Sequence, residues 1–347
     1  MKSKIINVLC VSLVSFSSVS FAEIPESRMI NYEKKVSISK EKEVALNKLG
    51  EDVYKSSVDK LYSQKNWGKY GAFTKVGMEV QGSLAYGMAL NDSSDLDIAF
   101  IYQYNGGASM SVLDPVALKH DAVNAFKDVF GNRFKYAVKD PVVNLSNATE
   151  DVDIAFFNIL KSSKSECSTT NRCSELNYGK DSSSAGWYLS ERLSLYGKFD
   201  DLFTKNTTKR NVINRAGKLF KLWRGNVFSK EEVKIPSIAL VTMMYDFSKD
   251  KGSAYSFNKS TDLLRDVTSY GITRYFKSDK CEGASSAEID LPVYQKDRNL
   301  LSKLSSAQRI KTCEAIVAFN KALRTATSPI VSESDSVKAL EPYLGKF

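Results

Sequence analysis

One histidine, seven prolines and five cysteines are all that 347 residues hold of those types. The lone histidine, His120, lies far along the chain from any nucleophile motif, which argues against a hydrolase triad. So few prolines, with 18 glycines, exclude collagen-like and Pro/Gly-rich disordered chains. No apolar run reaches the ~20 residues that a membrane-spanning helix needs. No repeat period is found, which excludes a solenoid. No Cys-x-x-Cys pair occurs, which weakens a four-thiolate zinc site. No basic run interleaved with aromatics marks out an RNA groove. What is present, 43% hydrophobic and 26% charged residues, is ordinary globular composition in a chain long enough for a large core or two lobes.

The N-terminus reads as a leader. Lys2 and Lys4 precede an apolar stretch from Ile5 to Phe16, and Ser20 and Ala22 supply small residues at −3 and −1. Residues 1–22 are therefore expected to be a cleaved signal peptide, with the mature protein secreted or periplasmic. Cleavage removes Cys10 and leaves four cysteines, an even count that suggests disulfides in an exported chain. Proximity favours Cys167 with Cys173 and Cys281 with Cys313. A plain buried thiol at Cys313, on an apolar face with Ile310 and Val317, stays open. The charge of +9, or +7 once the two leader lysines are gone, suits a polyanionic partner such as a nucleotide without selecting one.

Hydrophobic periodicity predicts a helix over 38–63, with Val44, Leu46, Leu49, Val53, Val58 and Leu61 mostly on one face. Strands are expected at 73–81, 96–102, 134–145 and 151–159, and a helix at 114–130 closed by Gly131. Residues 162–184 are polar and read as a surface loop. Helices over 209–224, 236–247 and 306–325 then dominate. The expected class is α+β: a small mixed sheet with helices over 23–185, then a helical lobe over 186–347, with a cleft between them.

The densest chemistry lies in Gly82-Ser83 and, twelve residues on, Asp95-Leu-Asp97. On a strand, Asp95 and Asp97 project from one face while Leu96 and Ile98 point to the other. Two such charges are costly side by side unless a cation lies between them. The pattern returns at Asp153-Ile-Ala-Phe, and a third carboxylate would converge if that strand lay beside the first. Hard oxygen ligands suit Mg²⁺, and two such ions would hold the attacking and leaving oxygens of a displacement at phosphorus. Glycine permits close backbone approach to phosphate, and Ser83 adds N–H and O–H donors. Asp151 shares a face with Asp153 and is its rival. Trp187, Trp223 and the many tyrosines read as packing. The sequons at Asn144, Asn147, Asn206 and Asn258 matter only in a glycosylating host.

Gly82-Ser83, Asp95-Leu-Asp97 and Asp153 together resemble the signature of polymerase-β-like nucleotidyltransferases. Val80-Gln-Gly-Ser-Leu-Ala-Tyr-Gly87 looks like their CD-NTase branch, bacterial relatives of cyclic GMP–AMP synthase and oligoadenylate synthetase. Residues 212–223, 235–240 and the C-terminal Tyr343-Leu-Gly-Lys-Phe347 agree. The resemblance implies a polymerase-β-like core and catalytic, metal-binding roles for Asp95, Asp97 and Asp153. It implies nucleotide-binding roles for Gly82, Ser83, Lys221 and Ser237, with Lys218 a rival read as a surface charge. Met88 stands where many relatives have Thr, and Ile238 where an aromatic often stacks on the base.

The implied activity is transfer of a nucleoside monophosphate from an NTP, with ATP the expected donor, to a hydroxyl, releasing pyrophosphate. Two Mg²⁺ ions would serve it, with Mn²⁺ an alternative. The acceptor is a nucleotide, giving a cyclic or linear oligonucleotide, an RNA end or a protein side chain. The competing expectation is a nucleotide- or RNA-binding protein on the same scaffold without turnover. Export from an NTP-rich cytosol implies a secreted effector or toxin acting in a target cell.

Overall fold

A computed structural model describes residues 23–92, 95–161, 173–181, 185–191, 206–231, 233–292 and 299–347, with the single positions 198 and 202. Residues 1–22, expected to be a leader, and Cys167 lie outside the described residues, and with them the expected Cys167–Cys173 pair.

Strands β1 (Phe73–Val80), β2 (Asp95–Tyr104), β3 (Lys135–Val138), β4 (Val143–Ser146) and β5 (Asp151–Ile159) line up in the order β1-β2-β5-β4-β3. β6 (Cys173–Tyr178) pairs with β5 and β7 (Gly186–Glu191). Only β2 and β5 run parallel, so the sheet is mixed. Leu96, Ile98, Phe100 and Tyr102 of β2, with Val152, Ile154 and Phe156 of β5, are buried on one face. There they pack under α2 (Lys40–Leu61) and α4 (Pro115–Phe130), through residues such as Val53, Leu61, Leu118 and Phe126. Pairing two strands whose even positions are apolar from Leu96 to Phe100 and from Val152 to Phe156 turns the odd positions to the opposite face. That face carries Asp95, Asp97, Asp151 and Asp153 at its start and Ala99, Ile101, Ala155 and Phe157 beyond.

A second core belongs to the helices. α1 (Glu26–Val36), α5 (Thr207–Val227), α6 (Ser237–Lys251), α7 (Ser260–Arg274), α8 (Ser306–Ala326) and α9 (Glu333–Leu344) bury Trp223, Phe220, Met243, Phe257 and Phe319 among them. Trp223 stacks on Phe319 at 5.5 Å between ring centroids, so it is packing, as expected. The sulfurs of Cys281 and Cys313 stand at bonding distance, 2.05 Å, tying the segment after α7 to α8. A bond there would close a loop with a sequence separation of 32 and remove chain entropy worth about 3–4 kcal/mol from the unfolded state.

Several expectations are corrected. The strand expected over 134–145 is a hairpin, β3 and β4, turning at Asp140-Pro141. Proline cannot donate to a ladder, so it takes the turn. Part of the expected loop 162–184 is β6, whose polar Ser174, Glu175 and Asn177 are buried. Their polarity mimics a loop, but Glu175 is answered by Ser109, Met110 N and Asn158, and Asn177 donates to Pro115 O. β7 extends the sheet past residue 185 into the span expected to be helical. Val44 is 55% exposed rather than on the core face of α2. The alternation expected through Val76 is broken by a bulge between Lys75 and Gly77, leaving Val76 exposed.

Candidate active site

The parallel register of β2 on β5 sets Asp95 beside Asp151 and Asp97 beside Asp153, four carboxyl groups on one sheet face. Asp153 therefore lies next to Asp97 and faces the same way. Burial pushes the Asp97 carboxyl up to about 6, with Asp153 and Asp95 adding to the rise and Lys221 opposing it. Asp95 is raised too, by burial and then by Asp151 and Asp153. No described residue donates a hydrogen bond to either carboxylate. Asp151 and Asp153 instead share the Asn144 amide of β4, and Lys139 Nζ stands 3.9 Å from Asp153.

Gly82 opens α3 (Gly82–Ala85) at φ 63°, and a Cβ there would stand 1.8 Å from Asp97 Oδ2. Glycine is thus required twice, by conformation and by contact. Ser83 follows, its hydroxyl unengaged by any described residue. Gly82, Ser83, Asp95 and Asp97 form one wall of a cleft of ≈ 460 Å³. The other wall comes from α5, α6 and their connection: Lys221 and Arg224 of α5, Lys234 between the helices, and Ser237, Ile238 and Val241 of α6. Ser237 is the first residue of α6, where backbone N–H groups lack helical partners. Met88 and Leu90 add an apolar floor.

Lys218 and Lys221 of α5 meet different surroundings. Lys218 Nζ is bound to Glu33 and Ser37 at 2.8 Å, and Arg215 pairs with Glu26 and Glu33. Lys218 is thus a half-buried ion-pair partner rather than a surface charge, and it does not line the cleft. Lys221 does line it. Its ammonium donates to Met88 O at 3.2 Å and has no carboxylate partner within salt-bridge distance among the described residues. Burial lowers its pKa. Met88 is buried against α5, where a Cβ on Gly217 would run into its sulfur.

Asp153 and Asp151 do not line the cleft but flank it. Arg224, Lys234 and Asn144 stand at the site with no motif in the sequence to mark them. Arg224 was discoverable one turn beyond Lys221, where i and i+3 share a face. Its guanidinium donates to Ile235 O and meets no acid among the described residues. Asn144 was visible only as a polar interruption in Val-Val-Asn-Leu. It is 4% exposed, which removes the sequon reading there. His120 is exposed on α4.

The donor set fits a hard divalent cation. It is all carboxylate, burial and crowding together raise Asp97, and Asp95 and Asp97 have no donor among the described residues. The oxygens are not closed on a common point: among the described residues no three acidic, His or Cys side chains stand at ligand spacing. A cation and a proton compete for Asp97. Apparent Mn²⁺ affinity, measured by calorimetry, is therefore expected to fall roughly tenfold per pH unit below about 6, and to plateau above 7. The sign on stability is fixed. Because the folded carboxyl titrates above its ordinary value near 4, its contribution is full below 4 and is lost as pH rises through about 6. A pH-independent affinity between 5 and 7 would contradict this.

No protein-family model matches the chain, and no curated protein does. Solved structures match along nearly its whole length. CdnC of Escherichia coli MS115-1 with ATP is 15% identical, with a TM-score of 0.65 over 94% of this chain and 98% of that one. Vibrio cholerae DncV cyclic AMP-GMP synthase with nonhydrolysable GTP is 12% identical, at 0.66 over 93% and 96%. The Bradyrhizobium diazoefficiens CD-NTase CdnG with GTP is 13% identical, at 0.66 over 94% and 96%. The chain has the polymerase-β-like α+β fold of the CD-NTases.

Proposed function

We propose that this protein is a metal-dependent nucleotidyltransferase that joins a nucleoside monophosphate from an NTP to a hydroxyl and releases pyrophosphate, making a cyclic or linear oligonucleotide. The observation that carries this is the opposition of charge across one cleft. Asp95 and Asp97, flanked by Asp153, face Lys221, Arg224 and Lys234, none of which has a carboxylate partner among the described residues. A triphosphate with a bound cation neutralises both walls at once.

Ser83 donates to the β/γ-phosphates, and Lys221, Arg224 and the N-terminus of α6 at Ser237 hold the same chain of phosphates. Asp95, Asp97 and Asp153 would hold Mg²⁺ or Mn²⁺, which supplies charge neutralisation and a template for the reacting oxygens. Asp153 takes the acceptor hydroxyl proton. The acceptor oxygen bonds to the α-phosphorus, and the bond from that phosphorus to the pyrophosphate oxygen breaks. Ile238, Val241, Met88 and Leu90 offer the base an apolar surface, which accommodates ATP without demanding adenine.

Incubation of protein from residue 23 onward with labelled NTPs and Mg²⁺ or Mn²⁺ tests the reading, with products identified by mass spectrometry. Product from the wild type, absent from the Asp95→Ala/Asp97→Ala protein, supports it. NTP binding without product in both proteins replaces it with a non-catalytic binder. The leader and the apposed Cys281 and Cys313 support export to an oxidising compartment, and action in the cytosol of a target cell, where NTPs abound. Mature protein found only in the producer's cytoplasm overturns the export reading.

A further inference from the structure

We propose that Asn144 is the positioning residue of the third carboxylate, setting the Asp153 side chain for cation and acceptor; this rests on the nucleotidyltransferase reading above. β4 runs antiparallel to β5 with Asn144 directly opposite Asp153. Its neighbours Val143 and Leu145 are wholly buried in the core under the sheet. Strand alternation therefore turns Asn144 to the carboxylate face.

There its Nδ2 donates to Asp153 Oδ1 at 2.8 Å and also to Asp151 Oδ1. The carboxamide has two N–H groups, and both go to carboxylates. Its orientation is forced, because its own carbonyl oxygen would repel either acid. Lys139 Nζ approaches the same Oδ1 of Asp153, at 3.9 Å. One oxygen of Asp153 is thereby engaged on the side of β4, leaving Oδ2 for a cation or the acceptor proton. A neutral double donor suits the place. A fifth carboxylate would add repulsion, and an apolar residue would leave Asp151 and Asp153 to repel each other unrestrained. Residues that orient ligating carboxylates typically matter about 10–100-fold in affinity or rate.

Asn144→Leu removes both donors at similar volume. It is expected to lower kcat about 10–100-fold. KM for the NTP should stay near the wild-type value, because Ser83, Lys221 and Ser237 lie on the cleft side. Mn²⁺ affinity, followed by electron paramagnetic resonance, should fall by a comparable factor. Asn144→Gln, which keeps both donors, should recover part of each loss. If Asn144→Leu fails to fold, Asn144→Ser takes its place. Wild-type kcat and Mn²⁺ affinity in the Leu or Ser variant, or a Gln variant no better than Leu, would overturn the assignment. If the wild type makes no product, the nucleotidyltransferase reading fails, while the Mn²⁺ titration still decides the role of Asn144.

Discussion

Asp97→Asn is expected to abolish nucleotidyl transfer while making the metal-free protein more stable. Asn matches Asp in size, so no cavity opens and nothing clashes. Only the charge goes. That charge is one the fold holds at a cost: burial and two neighbouring carboxylates push the Asp97 carboxyl up to about 6, and no described residue donates to it. Removing it relieves the apo protein at pH 7 to 8, so the unfolding temperature should rise. Catalysis loses a hard ligand and the charge it set against the reacting phosphate. A loss of about 4 kcal/mol of transition-state stabilisation is on the order of a 10³-fold fall in rate. Pyrophosphate release and thermal unfolding without metal, measured side by side, give the paired signature. Transfer within tenfold of wild type would remove Asp97 from the metal site. A destabilised apo variant would show that its carboxylate is satisfied after all.

Gly82→Ala carries the second largest effect, by a different route. The added methyl has two problems at once. The backbone at φ 63° strains any residue with a Cβ by roughly 1–2 kcal/mol. The methyl would also lie 1.8 Å from Asp97 Oδ2, a distance no packing tolerates. Either the α3 turn moves, taking Ser83 with it, or the carboxylate moves. Displacing a reacting group by about 1 Å costs on the order of 10²-fold. The expected result is a kcat about 10²-fold down. Gly77→Ala, whose Cβ meets nothing within 4 Å, is the matched control and should turn over normally. Equal turnover in Gly82→Ala and Gly77→Ala would mean that the contact with Asp97 has no bearing on the chemistry.

Much of this site could be read from the chain because strand geometry is local. Asp95 and Asp97 lie two apart between Leu96 and Ile98, and period two alone puts them on one face. Lys221 was harder, since Lys218 is three residues away on the same helix. What separates them is Glu33 on α1, a helix that the sequence reading did not foresee because its segment is polar. β6 escaped for a related reason. Glu175 and Asn177 resemble loop residues until Ser109, Asn158 and Pro115 arrive from elsewhere to satisfy them. Polarity in a sequence records what a side chain needs, not whether the fold supplies it.

By itself the amino-acid order determined the mixed α+β class, the faces of the strands, and the Gly-Ser turn ahead of its paired acids. Those follow from local backbone geometry and from apolar residues that must leave water. Only the folded chain decided which strand lies beside β2, which lysine meets the cleft, and that one buried amide joins Asp151 to Asp153. Such pairings depend on segments distant along the chain, whose contacts exist only once both cores have closed.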